Sequence, residues 1–418
     1  MRPLECYQVT PNATTCYNPP IYPTSLPHPT RLCCVVIQRR HHSPLGPLLD
    51  FKYLLPPPSC LRFLLFPGQY PSPYSFSMTP KVFLTGVTGY IGGDFLFAIA
   101  STHPDWQFSA LVRSEEKSTQ VTSKYPQIRT VIGDLDSSEL IEEEVKNADI
   151  VFHFADCDHV AAAQAIAKGA QHHTPGRPLW LIHTSGTGIL TIEDQRAGTY
   201  GIERPKEYND WEGVNELVNL PSDAFHRNVD EIILGIGQQN PASVKVAVVC
   251  PPTIYGPGRG PGNIRSIQAY LLSAAVLKRK HGFLLGKGEN VWHQVHVQDL
   301  SNVYLALGEA ASVGGGKATW NNEGYYLTEN GSFVWGDIQR AVAQSAFDKK
   351  LIASPDVESV DGAQATELHP TGIYSWGSNS RGHSIRARKL FGWMPQKPKL
   401  IDLIPEIVEG EAKVLGLL

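Results

Sequence analysis

The sequence of 418 residues has no run of about 20 apolar residues, few cysteines and no excess of basic charge. The first absence argues against a bilayer-spanning helix. Only Cys157 and Cys250 remain after residue 77, too few for a disulfide framework and without the spacing of metal ligands. A net charge of −4 argues against nucleic acid as the main partner. We therefore expect a globular protein of the reducing cytoplasm, with neither membrane nor nucleic acid as partner.

Residues 1–77 differ in composition from the rest of the chain. They hold 15 of the 32 prolines but only 2 of the 37 glycines. No helical or strand-like apolar period extends over a useful length, and the prolines remove backbone donors throughout. We predict a disordered, proline-rich extension. A further hypothesis is that the functional protein starts at Met78, which sequenced peptides from residues 1–60 of the native protein would contradict.

From Lys81 onward, short β-rich runs alternate with helical stretches. The predicted strands are residues 81–85, 107–112, 129–132, 150–154, 179–183 and 244–249, and the predicted helices include 91–102, 140–146, 159–169 and 222–236. Continuously apolar strands separated by helices indicate a parallel sheet covered on both faces. We predict an α/β, doubly wound Rossmann domain over 78–252, completed by 293–330, and a smaller substrate-binding domain from 253–292 and 331–418.

The first predicted strand leads directly into a glycine-rich turn. Gly86, Gly89 and Gly92 give the spacing Gly-x-x-Gly-x-x-Gly between a strand and a helix. Such glycines permit a tight turn and a close approach of a pyrophosphate, which then lies at the helix N-terminus. The alternative is a glycine turn without a ligand. The residues that we assign to cofactor binding in this turn are Gly86, Thr88, Gly89, Tyr90, Ile91 and Gly92.

The ends of the next two strands bear on the choice of cofactor. Arg113 follows the second strand, where an arginine accommodates the 2′-phosphate of NADP and an acid would hold the ribose of NAD. This favours NADP(H) over NAD(H), although Arg113 could also be a solvated charge. Asp134 and Leu135 follow the third strand, where the adenine amino group would lie. An aspartate at such a position is also a common helix cap.

Seven motifs, in order, resemble the extended short-chain dehydrogenase/reductase superfamily and its NAD-dependent epimerase/dehydratase family, with fungal-type members fitting best. They are TGVTGYIG at 85–92, GDL at 133–135, FHFAD at 152–156, HTSG at 183–186, PPTIYGPG at 251–258, HVQD at 296–299 and RKLFGWMP at 388–395. The resemblance implies that Ala155 lies beside the cofactor and Ser185 next to the nicotinamide. It also implies that Pro252, Thr253 and Ile254 lie along the carboxamide side, that the substrate is a small molecule, and that a homodimer is possible.

The catalytic tyrosine of this family, with its lysine four residues later, is missing from residues 185–245. His226 and Asp230 stand in those places, at i and i+4 of a predicted helix. In one interpretation His226 is the proton donor, its basicity raised by Asp230, while Ser185 hydrogen-bonds the substrate carbonyl. In the other, His226 and Asp230 are an ordinary helix-surface pair and acid catalysis is absent.

Two tyrosines, an acid-rich stretch and a pair of histidines are further candidates for catalytic or metal-binding roles. Tyr200 and Tyr208 are weaker candidates for the proton donor, because their segment is loop-like and Tyr208 has a glutamate four residues on. The acid-rich stretch at residues 156–159 suggests a metal, but adjacent side chains do not converge on one ion without help from elsewhere, so we assign none. Histidines at 172–173 are expected to be solvated.

The leading functional hypothesis is an NADP(H)-dependent oxidoreductase that acts on a carbonyl or alcohol of a small organic molecule, with a roomy glycine- and proline-rich segment at 255–263. A second is a nucleotide-sugar epimerase or dehydratase, which needs cations to hold a diphosphate. The candidates for that role are Arg259, Arg265, Lys278, Arg279 and Lys280. A third is a non-catalytic NADP(H)-sensing regulator, which has no need of a closed substrate cavity.

Overall fold

The helices and strands of the computed structural model fall within residues 79–418, the part of the chain that the structure describes. The disorder expected for residues 1–77 and the proposed start at Met78 lie outside it. The strands are β1 (Lys81–Thr85), β2 (Gln107–Val112), β3 (Arg129–Ile132), β4 (Ile150–His153), β5 (Leu179–Thr184), β6 (Tyr208–Asn209), β7 (Val244–Cys250), β8 (Thr253–Tyr255), β9 (Gly282–Leu285), β10 (Val291–His296), β11 (Tyr325–Leu327), β12 (Ser332–Val334), β13 (Val357–Val360) and β14 (Gly382–His383). The helices are α1 (Tyr90–Thr102), α2 (Glu115–Thr122), α3 (Ser138–Asn147), α4 (Val160–Ala170), α5 (Ile192–Ala197), α6 (Val214–Leu217), α7 (Arg227–Gln239), α8 (Gln268–Arg279), α9 (Val297–Ser312), α10 (Trp335–Asp348), α11 (Gly362–Leu368), α12 (Gly372–Gly377), α13 (Arg386–Phe391) and α14 (Leu400–Val414). None of these helices is both long enough and apolar enough to cross a membrane.

Seven strands form one parallel sheet in the order β11-β7-β5-β4-β1-β2-β3. In the centre of the sheet, Val82 of β1 lies opposite Phe108 of β2 and Ile150 of β4. The central strands are almost fully buried because α1 and α9 pack on one face and α3, α4 and α7 on the other. The prediction of a doubly wound, Rossmann-like α/β fold is confirmed.

The order of the strands places a crevice at one edge of this sheet. The chain runs outward from β1 through β2 to β3, and then returns to add β4 and β5 on the other side of β1. The connections after β1 and β4 therefore lead away from each other at the carboxyl ends of the strands. Parallel sheets bind their ligands at such a reversal of strand order.

Most predicted boundaries agree with the structure, and one disagreement matters for the site. The six predicted strands match β1 to β5 and β7 within one residue at each end. The helix expected from residue 222 instead begins at Arg227. His226 directly before it has φ 64°, a left-handed conformation that cannot continue a helix. His226 therefore belongs to a turn.

Besides the apolar clusters on the two faces of the sheet, the later part of the chain forms a third cluster. It includes the fully buried Trp335 and Trp376 and residues of α8, α10 and α14. Its buried members fall within residues 255–292 and 335–412. These residues lie within 253–292 and 331–418, the stretches predicted to form a substrate-binding domain, and the domain boundaries stay a prediction.

Late segments of the chain supply hydrogen bonds to buried acids of earlier segments. Asp194 of α5 accepts a bond of 2.7 Å from the backbone N–H of Asn379. Asp210, after β6, accepts one of 2.8 Å from the backbone N–H of Arg386. Burial raises the pKa of Asp210 to about 6, against the opposite effect of its backbone donors. The segment around residues 379–386 is thus part of the core.

Candidate functional site

A cavity of about 760 Å³ opens beside the carboxyl ends of β1, β4 and β5. It brings together the predicted site residues Gly86, Gly89, Tyr90, Ile91, Gly92, Ser185, His226, Pro252 and Ile254. The predicted residues Thr88, Arg113, Asp134, Leu135, Ala155, Asp230 and Thr253 do not line it. The glycine turn and the residues expected to act on substrate thus share one space.

The glycine turn is shaped by backbone contacts that leave no room for side chains. Gly86 has φ 75°, and a Cβ added there would lie 2.8 Å from the backbone nitrogen of Ala155. A Cβ on Gly92 would lie 2.5 Å from the carbonyl oxygen of Gly86. Helix α1 begins here with no side-chain cap and no acid in its first turn. Its free N–H groups and the positive end of its dipole fit the pyrophosphate of a dinucleotide.

The segment at residues 255–263 packs against this turn, so the expectation of a roomy segment was wrong. The Tyr90 hydroxyl donates a hydrogen bond of 2.5 Å to the carbonyl oxygen of Gly256. The backbone N–H of Asn263 donates a hydrogen bond of 2.9 Å to the carbonyl oxygen of Thr88. Arg259 binds the buried carboxylate of Asp94 in α1 through both its backbone N–H and its guanidinium. The glycines of residues 255–263 therefore allow this segment to pack closely against the glycine turn after β1.

The residues expected to select the cofactor lie outside the cavity, at the ends of β2 and β3. Arg113 is exposed and forms no ion pair within residues 79–418. Asp134 is exposed, and its Oδ1 accepts hydrogen bonds from the Ser137 hydroxyl at 2.8 Å and the Asp136 N–H at 3.1 Å. The bond from Ser137 lowers the pKa of Asp134. Asp134 thus shapes the turn before α3, and Leu135 packs half-buried against the core.

A buried polar cluster lies behind the cavity wall formed by Ser185. The Ser185 hydroxyl donates a hydrogen bond of 3.0 Å to Oδ2 of Asp230. The Tyr325 hydroxyl of β11 donates a second, of 3.2 Å, to the same oxygen. Nε2 of His183 lies 3.5 Å from the other carboxylate oxygen, and both side chains are fully buried. Asp230 therefore faces the sheet and orients Ser185.

His226 takes its partners from the turn after β4, so the expected pairing with Asp230 was wrong. Its Nδ1 lies 2.8 Å from Oδ1 of Asp158 and 3.2 Å from Sγ of Cys157. Burial alone would lower the pKa of His226, but the hydrogen bonds to Asp158 and Cys157 outweigh burial and raise it to about 10. A Cβ added to Gly186 would lie 3.1 Å from Nε2. That nitrogen, free of hydrogen bonds to residues 79–418, therefore lies beside the loop after β5.

The two tyrosines considered as proton donors do not line the cavity. Tyr200 packs edge-on against Tyr374, with ring centroids 5.9 Å apart, and burial raises its pKa. Tyr208 is a buried residue of β6, and burial raises its pKa to about 12. A raised pKa makes a phenol a poorer acid at neutral pH. Neither tyrosine is in position to exchange a proton with a ligand in the cavity.

Known proteins resemble this chain in sequence along most of its length. It is 39% identical over 348 residues to a protein from an Acremonium species named oxidase ucsJ, and the match covers 81% of this chain and 100% of that protein. Residues 78–173 match the NmrA-like family.

Solved structures show the same fold at low identity. The dTDP-glucose 4,6-dehydratase of Bacillus anthracis, in complex with NAD, superposes with a TM-score of 0.56 at 17% identity, over 80% of this chain and 97% of that one. The UDP-glucose 4-epimerase of Thermotoga maritima gives 0.53 at 15% identity, over 80% and 99%. The chain belongs to one family with oxidase ucsJ. Its NmrA-like match and its fold fit the extended short-chain dehydrogenase/reductase superfamily. The resemblance seen in the sequence motifs is confirmed.

Several residues of the site are not part of any motif of the superfamily that the sequence displays. Phe225 and Tyr374 form an aromatic wall of the cavity, with ring centroids 5.1 Å apart. Asp158 binds His226, and Tyr325 binds Asp230. Each comes from a different part of the chain, so spacing could not connect it to the site. Only Asp158, beside the motif at 152–156, carried a sequence signal.

Proposed function

We propose that the protein is an NAD(P)-dependent oxidoreductase that transfers hydride between a nicotinamide cofactor and a carbonyl or alcohol of a small organic molecule. One observation carries the proposal: a single cavity joins the uncapped N-terminus of α1, with its glycine turn, to Ser185 and His226. The 39% identical relative bears the name oxidase, and the dehydratase of similar fold was solved with NAD. Both are consistent with this function.

The polar groups of the cavity have distinct tasks. The bound cofactor would supply or accept the hydride. His226 holds a proton at neutral pH because Asp158 and Cys157 raise its pKa, and it donates this proton from Nε2 to the substrate oxygen during reduction. The Ser185 hydroxyl donates its hydrogen bond to Asp230. It therefore offers a lone pair and accepts a hydrogen bond from a substrate hydroxyl, instead of donating to a carbonyl as the sequence suggested.

The cofactor that we propose is NADP(H), with NAD(H) as the alternative. Arg113 is exposed at the end of β2 and is free of ion pairs within residues 79–418. A free guanidinium at this strand end suits a 2′-phosphate. The homodimer and the cytoplasmic location stay predictions, to be checked by sedimentation and by cell fractionation.

The nucleotide-sugar alternative loses support because protein groups already occupy most of its candidate cations, including Arg265, which lines the cavity. Arg259 is bound to Asp94, Arg265 to Glu411 and Arg279 to Glu358. Lys280 donates to the carbonyl oxygen of Leu351. Guanidinium groups that neutralise protein carboxylates are not free to hold a diphosphate. A smaller organic substrate suits the aromatic wall of the cavity better.

The test is titration of the full-length protein with NADPH and NADH by nicotinamide fluorescence, followed by turnover on a panel of carbonyls and alcohols. We expect binding and turnover in the wild type, and a loss of turnover of about 100-fold or more in His226→Gln, since general acid catalysis contributes about 10²–10⁴-fold. His172→Gln, an exposed histidine outside the cavity, is the matched control. Binding without turnover would favour a regulator, and no binding would overturn the proposal.

A further inference from the structure

Three side chains with different donor atoms converge at the substrate end of the cavity. Cys157 and Asp158 come from the turn after β4, and His226 comes from the turn before α7. One donor atom from each side chain lies within 4.8 Å of the other two. Neighbours such as Cys157 and Asp158 do not converge on an ion by themselves. Folding brings a nitrogen of His226 to these two side chains as a third donor atom, which the sequence could not show.

We propose that Cys157, Asp158 and His226 bind a divalent transition-metal ion, with zinc the best match to their donor set. Thiolate, carboxylate and imidazole are the groups that bind zinc in proteins, and three protein ligands with one open position are typical of catalytic sites. In a tetrahedral site, sulfur and nitrogen ligands of zinc lie about 3.5 Å apart, given bond lengths of about 2.3 and 2.0 Å. The observed Sγ–Nδ1 distance of 3.2 Å needs little adjustment.

The charges of the trio are also consistent with a cation. A thiolate and a carboxylate together carry two negative charges. Among the described residues, Asp158 has no lysine or arginine partner, and its one ion pair is with His226. Side-chain exposure of 53% at Asp158 gives an ion a route from solvent. A divalent ion neutralises both anions, whereas a proton on His226 neutralises one.

The turn after β4 and the turn before α7 each contain a residue with positive φ, a backbone conformation that residues other than glycine seldom adopt. Asp156, next to Cys157, has φ 28°, and His226 has φ 64°. Only five non-glycine residues of the described range have positive φ, and two of them hold this trio in place. Strained residues of this kind persist where the surrounding structure fixes a functional geometry.

The ion would act on the substrate of the proposed function, on which this inference rests. Asp158 and His226 both line the cavity that Ser185 also lines, so an ion held by them would be open to a substrate there. There the ion would polarise a carbonyl oxygen. Hydride from NAD(P)H would add to the carbon, the cofactor would become NAD(P)⁺, and the resulting alkoxide would take a proton from water. In the metal-bound protein the ion would thus take the place of the proton that His226 carries in the metal-free protein, and of the missing tyrosine hydroxyl.

The experiment is titration of the metal-free, full-length protein with Co²⁺, read as the thiolate-to-cobalt absorption in the near ultraviolet. We expect one equivalent to bind and zinc to displace it. Cys157→Ser should abolish the band, and His226→Ala should weaken Co²⁺ binding by at least about tenfold, since even outer-shell changes cost about 10–100-fold. Asp105→Asn, at an exposed aspartate outside the site, and Cys250→Ser are the matched controls and should bind Co²⁺ as the wild type does.

Two outcomes would overturn the metal site: no cobalt band in the wild type, or a band that survives Cys157→Ser. NADPH titration of the same metal-free protein tests the proposed function separately, because the glycine turn shares no residue with the trio. NADPH binding without cobalt binding would reject the metal and retain the cofactor. Cobalt binding without NADPH binding would do the reverse.

Discussion

Arg113 is the residue whose replacement most directly tests the choice of cofactor. It is exposed at the carboxyl end of β2, without an ion pair in the described part of the chain. A hydrogen bond to a charged group contributes about 1.5–3 kcal/mol. Arg113→Ala should therefore weaken NADPH binding by about 10- to 100-fold and leave NADH binding unchanged, as measured by fluorescence titration.

The control for this prediction is Arg129→Ala. Arg129 is the first residue of β3, so it lies at the amino ends of the strands, whereas Arg113 lies at their carboxyl ends. Arg129 is also paired with Glu144. It should leave the binding of both cofactors unchanged. Equal losses of NADPH and NADH affinity in Arg113→Ala would mean that Arg113 does not contact the 2′-phosphate.

Tyr325 and Tyr125 allow a matched comparison of buried hydroxyls. The Tyr325 hydroxyl donates to the fully buried Asp230, whereas the Tyr125 hydroxyl has no hydrogen-bond partner within residues 79–418. Tyr325→Phe should lower the free energy of unfolding by about 1–3 kcal/mol, because it removes a donor from a buried carboxylate. Tyr125→Phe should be neutral within about 0.5 kcal/mol. Denaturant unfolding measures the change in the free energy of unfolding for both variants. Equal changes would contradict the role of the Tyr325 hydroxyl as a donor to Asp230.

Single residues show how far sequence reasoning reaches. Ser185 could be placed in the site because it follows β5, and His226 because it stands where the tyrosine of the superfamily is expected. The partner of His226 could not, because an i, i+4 relation holds only inside a helix and His226 has a left-handed backbone before α7. Asp230 consequently faces Ser185, and Asp158 takes the place that was assigned to Asp230.

At the scale of elements, two glycines separate the effect of backbone conformation from that of packing. A Cβ added to Gly410 of α14 or to Gly392 after α13 would meet nothing within 4 Å. Gly410 is helical, and alanine is about 0.5–1 kcal/mol better there, so Gly410→Ala should stabilise the protein by that amount. Gly392 has φ 66°, and Gly392→Ala should destabilise by about 1 kcal/mol. Thermal unfolding of the two variants measures the change in stability of each. A change of the same sign in both would contradict the prediction.

The strands were predictable because their apolar character is continuous, and α2 was not. Its sequence EEKSTQVT buries only Val121, so no apolar period reveals it. Ser114 instead starts this helix by accepting a hydrogen bond from the backbone N–H of Lys117, with Glu115 and Glu116 in the first turn. A helix such as α2, which is stabilised by its N-terminal cap and buries few apolar residues, is hard to recognise from a hydrophobic pattern.

For the whole molecule, buried neutral histidines set the response to acid. Burial lowers the pKa of His293 to about 4, and its Nδ1 accepts a hydrogen bond of 2.7 Å from the N–H of Gly382. A depressed histidine pKa means that the unfolded chain binds the proton first. Stability is therefore complete above about pH 6.5 and falls as the pH drops toward 4, by up to about 3 kcal/mol for this residue.

His293→Asn keeps an acceptor for Gly382 but does not titrate. It should lose about 2–3 kcal/mol less stability than the wild type between pH 7.5 and 4.5, measured by denaturant unfolding. His172→Asn, at an exposed site, should follow the wild type. Parallel curves for all three proteins would show that His293 is not protected from protonation.

The late hydrogen-bond donors of buried acids have a consequence for the order of events during synthesis. The glycine turn, Ser185 and His226 leave the ribosome early. Asp230 must wait for Tyr325, and Asp194 and Asp210 must wait for the backbone of residues 379–386. Until then the growing chain carries acids without these donors, and β7 is an unpaired edge that β11 later covers. The site therefore matures only after most of the chain has been translated, and nascent chains stalled before residue 325 should depend on chaperones to stay free of aggregation.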